Sequence, residues 1–153
     1  PLRVVLDSAM RTTADAQVVK TAHEAPTVIF TTPAGRAPAL ALKERAPAVD
    51  IVPAPADERG RVALPAVLKK LAERGVNRLM VEGGAQAARA FVEAELVDEV
   101  ALFTAPDKTL GDGGVPALAG LALDVLREPP FHLIEQATLG PDTLHRYERA
   151  DDK

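Results

Sequence analysis

The sequence contains no cysteine and no tryptophan, and aromatic residues make up only 3% of it. Without cysteine there can be no disulfide, no cysteine-ligated zinc, no iron–sulfur cluster and no thiol nucleophile. A reducing compartment such as the cytoplasm suits a chain of this kind. Positive charge is not in excess either. With 18 Lys+Arg against 22 Asp+Glu the net charge is -4, so no basic footprint points to nucleic acid. No apolar run approaches the ~20 residues that span a bilayer, and no signal-peptide pattern is present, so no membrane partner is expected. The G-x-G-x-x-G, phosphate-loop and G-x-S-x-G signatures are missing as well, which argues against a Rossmann domain and a serine hydrolase.

What is present describes a globular chain of 153 residues, 47% hydrophobic and 26% charged, a length that suits one domain. Short branched-aliphatic runs alternate with helix-period segments. Strands are predicted at 3–6, 27–31, 49–52 and 78–81, each apolar nearly throughout, as in a parallel sheet covered on both faces. Helices are predicted near 36–45, interrupted by Pro38, at 65–74 with Pro65 in its first turn and Gly75 at its end, and at 85–95. The last third changes character. A strand at 98–104 and two more at 131–138 and 143–149 flank Leu139-Gly140-Pro141-Asp142, a hairpin whose turn reads as longer than two residues. The expected fold is therefore α/β, a mostly parallel sheet ending in an antiparallel C-terminal hairpin.

The sharpest local signal is Val81-Glu82-Gly83-Gly84-Ala85, read as a buried strand running straight into a helix. Glycines there permit positive φ and close approach to the main chain, and the helix's first amides suit a phosphate. Glu82 would lie at the same edge, placed to accept hydrogen bonds from a polar ligand. The same residues also suit a plain strand-to-helix turn with Glu82 in solvent. In the following helix Ala88, Phe91, Val92 and Leu96 share one face, while Arg89 reads as solvent-facing. After the first strand, Asp7-Ser8 with Arg11 could hold a phosphate or simply cap a turn. His23, His132 and His145 lack ligand spacing, although the last two could share a hairpin face; no metal site is expected. Asp98 and Glu99 point to opposite faces of a strand and cannot act together. Gly111-Asp112-Gly113-Gly114 reads as a flexible loop.

Several segments, in order, resemble a known family. They are Leu2-Arg3-Val4-Val5-Leu6-Asp7-Ser8, then Gly75-Val76-Asn77-Arg78-Leu79-Met80-Val81-Glu82-Gly83-Gly84, then Phe91-Val92-Glu93-Ala94-Glu95-Leu96-Val97-Asp98-Glu99-Val100. Thr104-Ala105-Pro106, Leu110-Gly111 and Leu139-Gly140-Pro141-Asp142 follow. Together these resemble the C-terminal reductase domain of the bacterial bifunctional riboflavin-biosynthesis deaminase/reductase, over essentially the whole chain.

The resemblance implies a dihydrofolate-reductase-like, three-layer fold and an NADPH-dependent reduction. The ribose of 5-amino-6-(5-phosphoribosylamino)uracil would be opened and reduced at C1′ to the ribitylamino product. By position, Ser8 matches a serine that contacts NADPH, and Glu82 the acidic residue that binds substrate. Gly84, Ala85, Gln86, Ala87, Ala88, Arg89 and Ala90 match the turn and first helical residues that receive the cofactor's pyrophosphate. No catalytic residue is assigned. The family also implies a cytoplasmic homodimer. Because the chain opens on Pro1 and reads as a core strand by Leu2, residues 1–150 are expected to be the C-terminal part of one reductase domain, lacking its first strand and helix, with 151–153 a tail. Alone it is expected to be weak or inactive. The alternatives are a nucleotide- or phosphate-binding module and an oligomerisation element, neither catalytic. Whether the pyrimidine is deaminated before reduction stays open.

Overall fold

The computed structural model describes residues 1–106, 111 and 114–150. The expectations for Leu110, Asp112, Gly113 and the tail 151–153 lie outside the described residues. The chain forms two compact units, Pro1–Arg78 and Leu79–Lys153.

In the first unit three parallel strands, β1 (Arg3–Leu6), β2 (Thr27–Thr31) and β3 (Asp50–Pro53), lie in the order β1-β2-β3. All five residues of β2 are buried, with Val28, Ile29 and Phe30 at 0% exposure, which is why its sequence is apolar without alternation. Helices α1 (Gln17–Lys20), α2 (Arg36–Arg45) and α3 (Leu64–Ala72) intervene or follow. Met10, Val19, Ala22, Ile29, Ala39, Leu42 and Val49 form a core between strand and helix surfaces. The predicted interruption of α2 does not occur. Pro38 falls in its first turn, where the missing N–H costs no intrahelical bond. Gly75, at φ +79°, turns the chain out of α3 as anticipated. The Arg3 guanidinium donates to Thr21 Oγ1 and to the Thr21 and Ala25 carbonyls at 2.6–2.9 Å, which ties the approach to β2 against β1.

The second unit contains α4 (Ala85–Glu93) and an antiparallel sheet of β4 (Glu99–Thr104), β5 (Phe131–Leu139) and β6 (Asp142–Arg149), ordered β4-β6-β5. Leu118, Leu126, Phe131 and Tyr147 are its core, with Ala88, Val92, Val97, Val100 and Leu102 packed against them. The hairpin turn is tighter than the sequence suggested. Leu139 pairs with Asp142, leaving only Gly140 and Pro141 between strands, and Gly140 takes the positive φ (+64°) that such a turn needs at its first position. An α/β architecture with a parallel sheet and an antiparallel C-terminal hairpin is thus borne out. Among the described residues no helix is long and apolar enough to cross a membrane.

One predicted strand is absent. Residues 78–81 have no strand structure, with Met80 79% and Val81 41% exposed. A strand exists only through hydrogen bonds to a neighbour, and an apolar run supplies the side chains for one without supplying the partner.

Candidate functional site

Each unit carries one candidate patch. In the first, the chain leaves β1 through Asp7 and Ser8 and leaves β2 through Thr31 and Thr32, so the ends of adjacent parallel strands meet. Asp7 is buried, and its Oδ2 accepts from both the Thr12 amide and the Thr12 hydroxyl at 2.7 Å. Of the two readings for Asp7, this is the turn-capping one, and Arg11 beside it is exposed. Burial pushes the Asp7 carboxyl up, yet hydrogen bonds from Thr12 and the Arg11 amide, with the Arg11 charge, hold it below its ordinary value.

Ser8 is partly buried and unusually well anchored. Its carbonyl accepts from the Thr32 hydroxyl at 2.8 Å and from the Thr31 hydroxyl and Thr32 amide at 3.2 Å. Its own Oγ accepts from the Val62 amide at 3.0 Å. Gly35 closes the arrangement: a Cβ there would collide with the Thr31 hydroxyl and approach the Ala9 carbonyl carbon and the Met10 amide nitrogen to 3.0 Å. Sequence reasoning found Ser8 but missed Thr31, Thr32, Gly35 and Val62. Thr32 before Pro33 was the readable signal, because a threonine preceding proline suits a helical N-cap; Thr32 Oγ1 does accept from the Ala34 amide.

In the second unit Gly84 has φ +66° and ψ 129° and opens α4, and its carbonyl accepts from the Ala87 and Ala88 amides. The amides of Ala85 and Gln86 precede these first intrahelical bonds, and no side chain caps them. A Cβ on Gly83 or Gly84 would meet nothing within 4 Å, so the entrance to the helix is open. Residues 84–90 are brought together as the turn and first helical turns. Glu82 precedes them, exposed, on the segment that lacks strand pairing, so the expected placement at a strand's carboxyl end is not realised. Arg89 is not simply solvated. Its Nε donates to Glu93 Oε1 at 2.7 Å and its terminal nitrogen to the Ala119 carbonyl at 3.0 Å, so the guanidinium is tied within the second unit. Ala88 and Val92 pack against the core of this unit as expected, and Phe91 is buried.

The two hairpin histidines do not share a face. His132 lies opposite Glu148 and His145 opposite Gln136, and positions 145 and 148 of one strand point to opposite sides.

A family profile described as RibD C-terminal domain matches residues 1–144. The chain belongs to that family. The RibD C-terminal domain assignment confirms the resemblance drawn from the residues. "Riboflavin biosynthesis protein RibD" of Bacillus amyloliquefaciens is 33% identical over 143 residues, which are 93% of this chain and 37% of that protein. "2,5-diamino-6-ribosylamino-4(3H)-pyrimidinone 5′-phosphate reductase" of Aquifex aeolicus (strain VF5) is 39% identical over 123 residues, 78% of this chain and 51% of that one. The chain therefore spans about a third to a half of the length of these curated relatives. The crystal structure of a pyrimidine reductase-like protein from Corynebacterium diphtheriae superposes with a TM-score of 0.75 at 15% identity, covering 99% of this chain and 62% of that one. At that identity the likeness establishes the shared fold alone.

Proposed function

We propose that this RibD C-terminal domain takes part in the reductive step of riboflavin biosynthesis: the NADPH-dependent reduction, at ribose C1′, of 5-amino-6-(5-phosphoribosylamino)uracil to its ribitylamino product. The observation that carries this reading is the family match over residues 1–144, with relatives that bear the reductase name. NADPH supplies the hydride. The chain's own residues bind and orient. Ser8 offers a hydroxyl at the end of β1, and in the turn and first helical residues 84–90 the uncapped amides of Ala85 and Gln86 suit the cofactor's pyrophosphate. Glu82 engages the substrate's hydroxyl or amino groups. The open approach at Gly83 and Gly84 supports this fit, since no side chain crowds the amides.

On this reading residues 1–150 form the C-terminal part of one reductase domain, acting as a homodimer in the cytoplasm. The isolated chain turns over weakly, because the segment that bears Glu82 has no strand pairing to hold it. The test is to titrate NADPH and NADH by nicotinamide fluorescence and to follow NADPH oxidation with the deaminated and the undeaminated pyrimidine in turn. Preferential NADPH binding with slow turnover is the expected result. Equal indifference to both nucleotides would support the non-catalytic alternative, and turnover as fast as that of a full-length relative would refute the weak-activity claim.

A further inference from the structure

Residues 54–63 form a small loop whose purpose is visible in its hydrogen bonds. The Ala54 amide donates to the Thr31 carbonyl at 2.9 Å, and the Ala63 amide to the Pro55 carbonyl at 2.9 Å. Ala56 and Val62 form an antiparallel bridge. At the tip, Asp57 Oδ1 accepts from two amides, Arg59 at 2.9 Å and Arg61 at 2.7 Å, while the Asp57 main chain pairs with Arg61 and Gly60. The exposed tip thus folds back on one carboxylate oxygen and carries the buried Val62 to Ser8, where its amide donates to Oγ.

A serine hydroxyl has two acceptor lone pairs and one proton. The Val62 amide occupies a lone pair, and among the described residues no acceptor takes the Ser8 hydroxyl proton. Three donors meanwhile hold the Ser8 carbonyl. The main chain cannot turn, and one side of the oxygen is spoken for. We propose that loop 54–63 is the positioning element of the cofactor contact: Asp57 shapes it, the Val62 amide fixes the Ser8 oxygen, and the Ser8 hydroxyl acts as a donor to an acceptor oxygen of the dinucleotide. This rests on the reading of Ser8 as a cofactor contact. Asp57 touches no ligand; it is a positioning residue.

The experiment uses the full chain and NADPH as probe, with Ser8→Ala, Asp57→Ala, Asp57→Asn and the double alanine variant, and it adds hydrogen exchange at the Val62 amide without nucleotide. Loss of one hydrogen bond corresponds to about fivefold in affinity, so Ser8→Ala and Asp57→Ala should each raise the dissociation constant by up to that factor. Asp57→Asn keeps an acceptor oxygen and should bind like the parent. The double variant should be no weaker than Ser8→Ala alone, and the Val62 amide should exchange faster in both single alanine variants. Asp57→Ala binding like the parent, or losses that add in the double variant, would overturn the proposal. If Asp57→Ala fails to fold, Val62 exchange in Ser8→Ala decides: unchanged exchange overturns it. A parent chain that binds no nicotinamide nucleotide instead removes the underlying reading of Ser8.

Discussion

At the end of β1, Asp7 is a buried carboxylate whose hydrogen bonds make its contribution to stability depend on pH. Its folded-state pKa lies below the ordinary value of 3.8, because the hydrogen bonds from Thr12 and the Arg11 amide outweigh the cost of burial. A depressed carboxylate contributes stability that is present above the unfolded-state pKa and is lost as pH falls through the folded one. Asp7→Asn should therefore cost about 1 kcal/mol near neutral pH. The gap between parent and variant should shrink as pH drops below about 4, toward zero once both carry a neutral side chain. Denaturant unfolding across that range measures it, and a gap that widens on acidification would contradict the assignment. The identity of Asp7 and Ser8 as strand-end polar residues was legible in the sequence. The Thr12 partner of Asp7 is local, but the partners of Ser8 were not legible, because Thr31, Thr32 and Val62 lie 23 to 54 positions away and meet it only in the folded chain. Arg89 was misjudged for a related reason: its ion pair with Glu93 is local and readable, but its bond to the Ala119 carbonyl crosses 30 positions.

Elements were legible where a single run of side chains decides the outcome. β1 and β2 match the predicted 3–6 and 27–31, and α2 matches 36–45, because buried runs and helical periodicity are properties of the segment itself. The same reasoning failed at 78–81, where the sequence looks no different from β1 yet no neighbour pairs with it. The entrance to α4 is legible again, since φ +66° with ψ 129° is a conformation only glycine adopts without penalty. Gly84→Ala should destabilise by about 1–2 kcal/mol through backbone strain alone, because its Cβ would meet no neighbour. Gly83→Ala, also in open space but without a positive φ, should stay within about 0.5 kcal/mol. Equal costs at the two positions, read from chemical denaturation, would show that the strain does not govern this turn.

For the molecule as a whole, the division into Pro1–Arg78 and Leu79–Lys153 falls on the stretch that ends one legible pattern and begins another. Between Gly75 and Ala85 there is neither helix nor strand, and Met80 and Val81 are exposed there. Leu40 and Phe103 are also exposed, at 62% and 61%, but they belong to α2 and β4, whose backbones are hydrogen-bonded. A protease must draw several extended residues into its cleft, so local backbone stability matters more than side-chain exposure. Thermolysin should accordingly cut at Leu79, Met80 or Val81 before it cuts at Leu40 or Phe103, with the order read by mass spectrometry. The same stretch carries Glu82, so proteolysis can also test the proposed substrate contact. A substrate that engages Glu82 binds the ordered form of the segment and lowers the population of the cleavable one. If the proposed function holds, saturating pyrimidine substrate with NADPH should slow the first cut by the factor by which ligand occupancy exceeds the free state, whereas NADPH alone should protect less. Protection that is identical with and without the pyrimidine would detach Glu82 from the substrate.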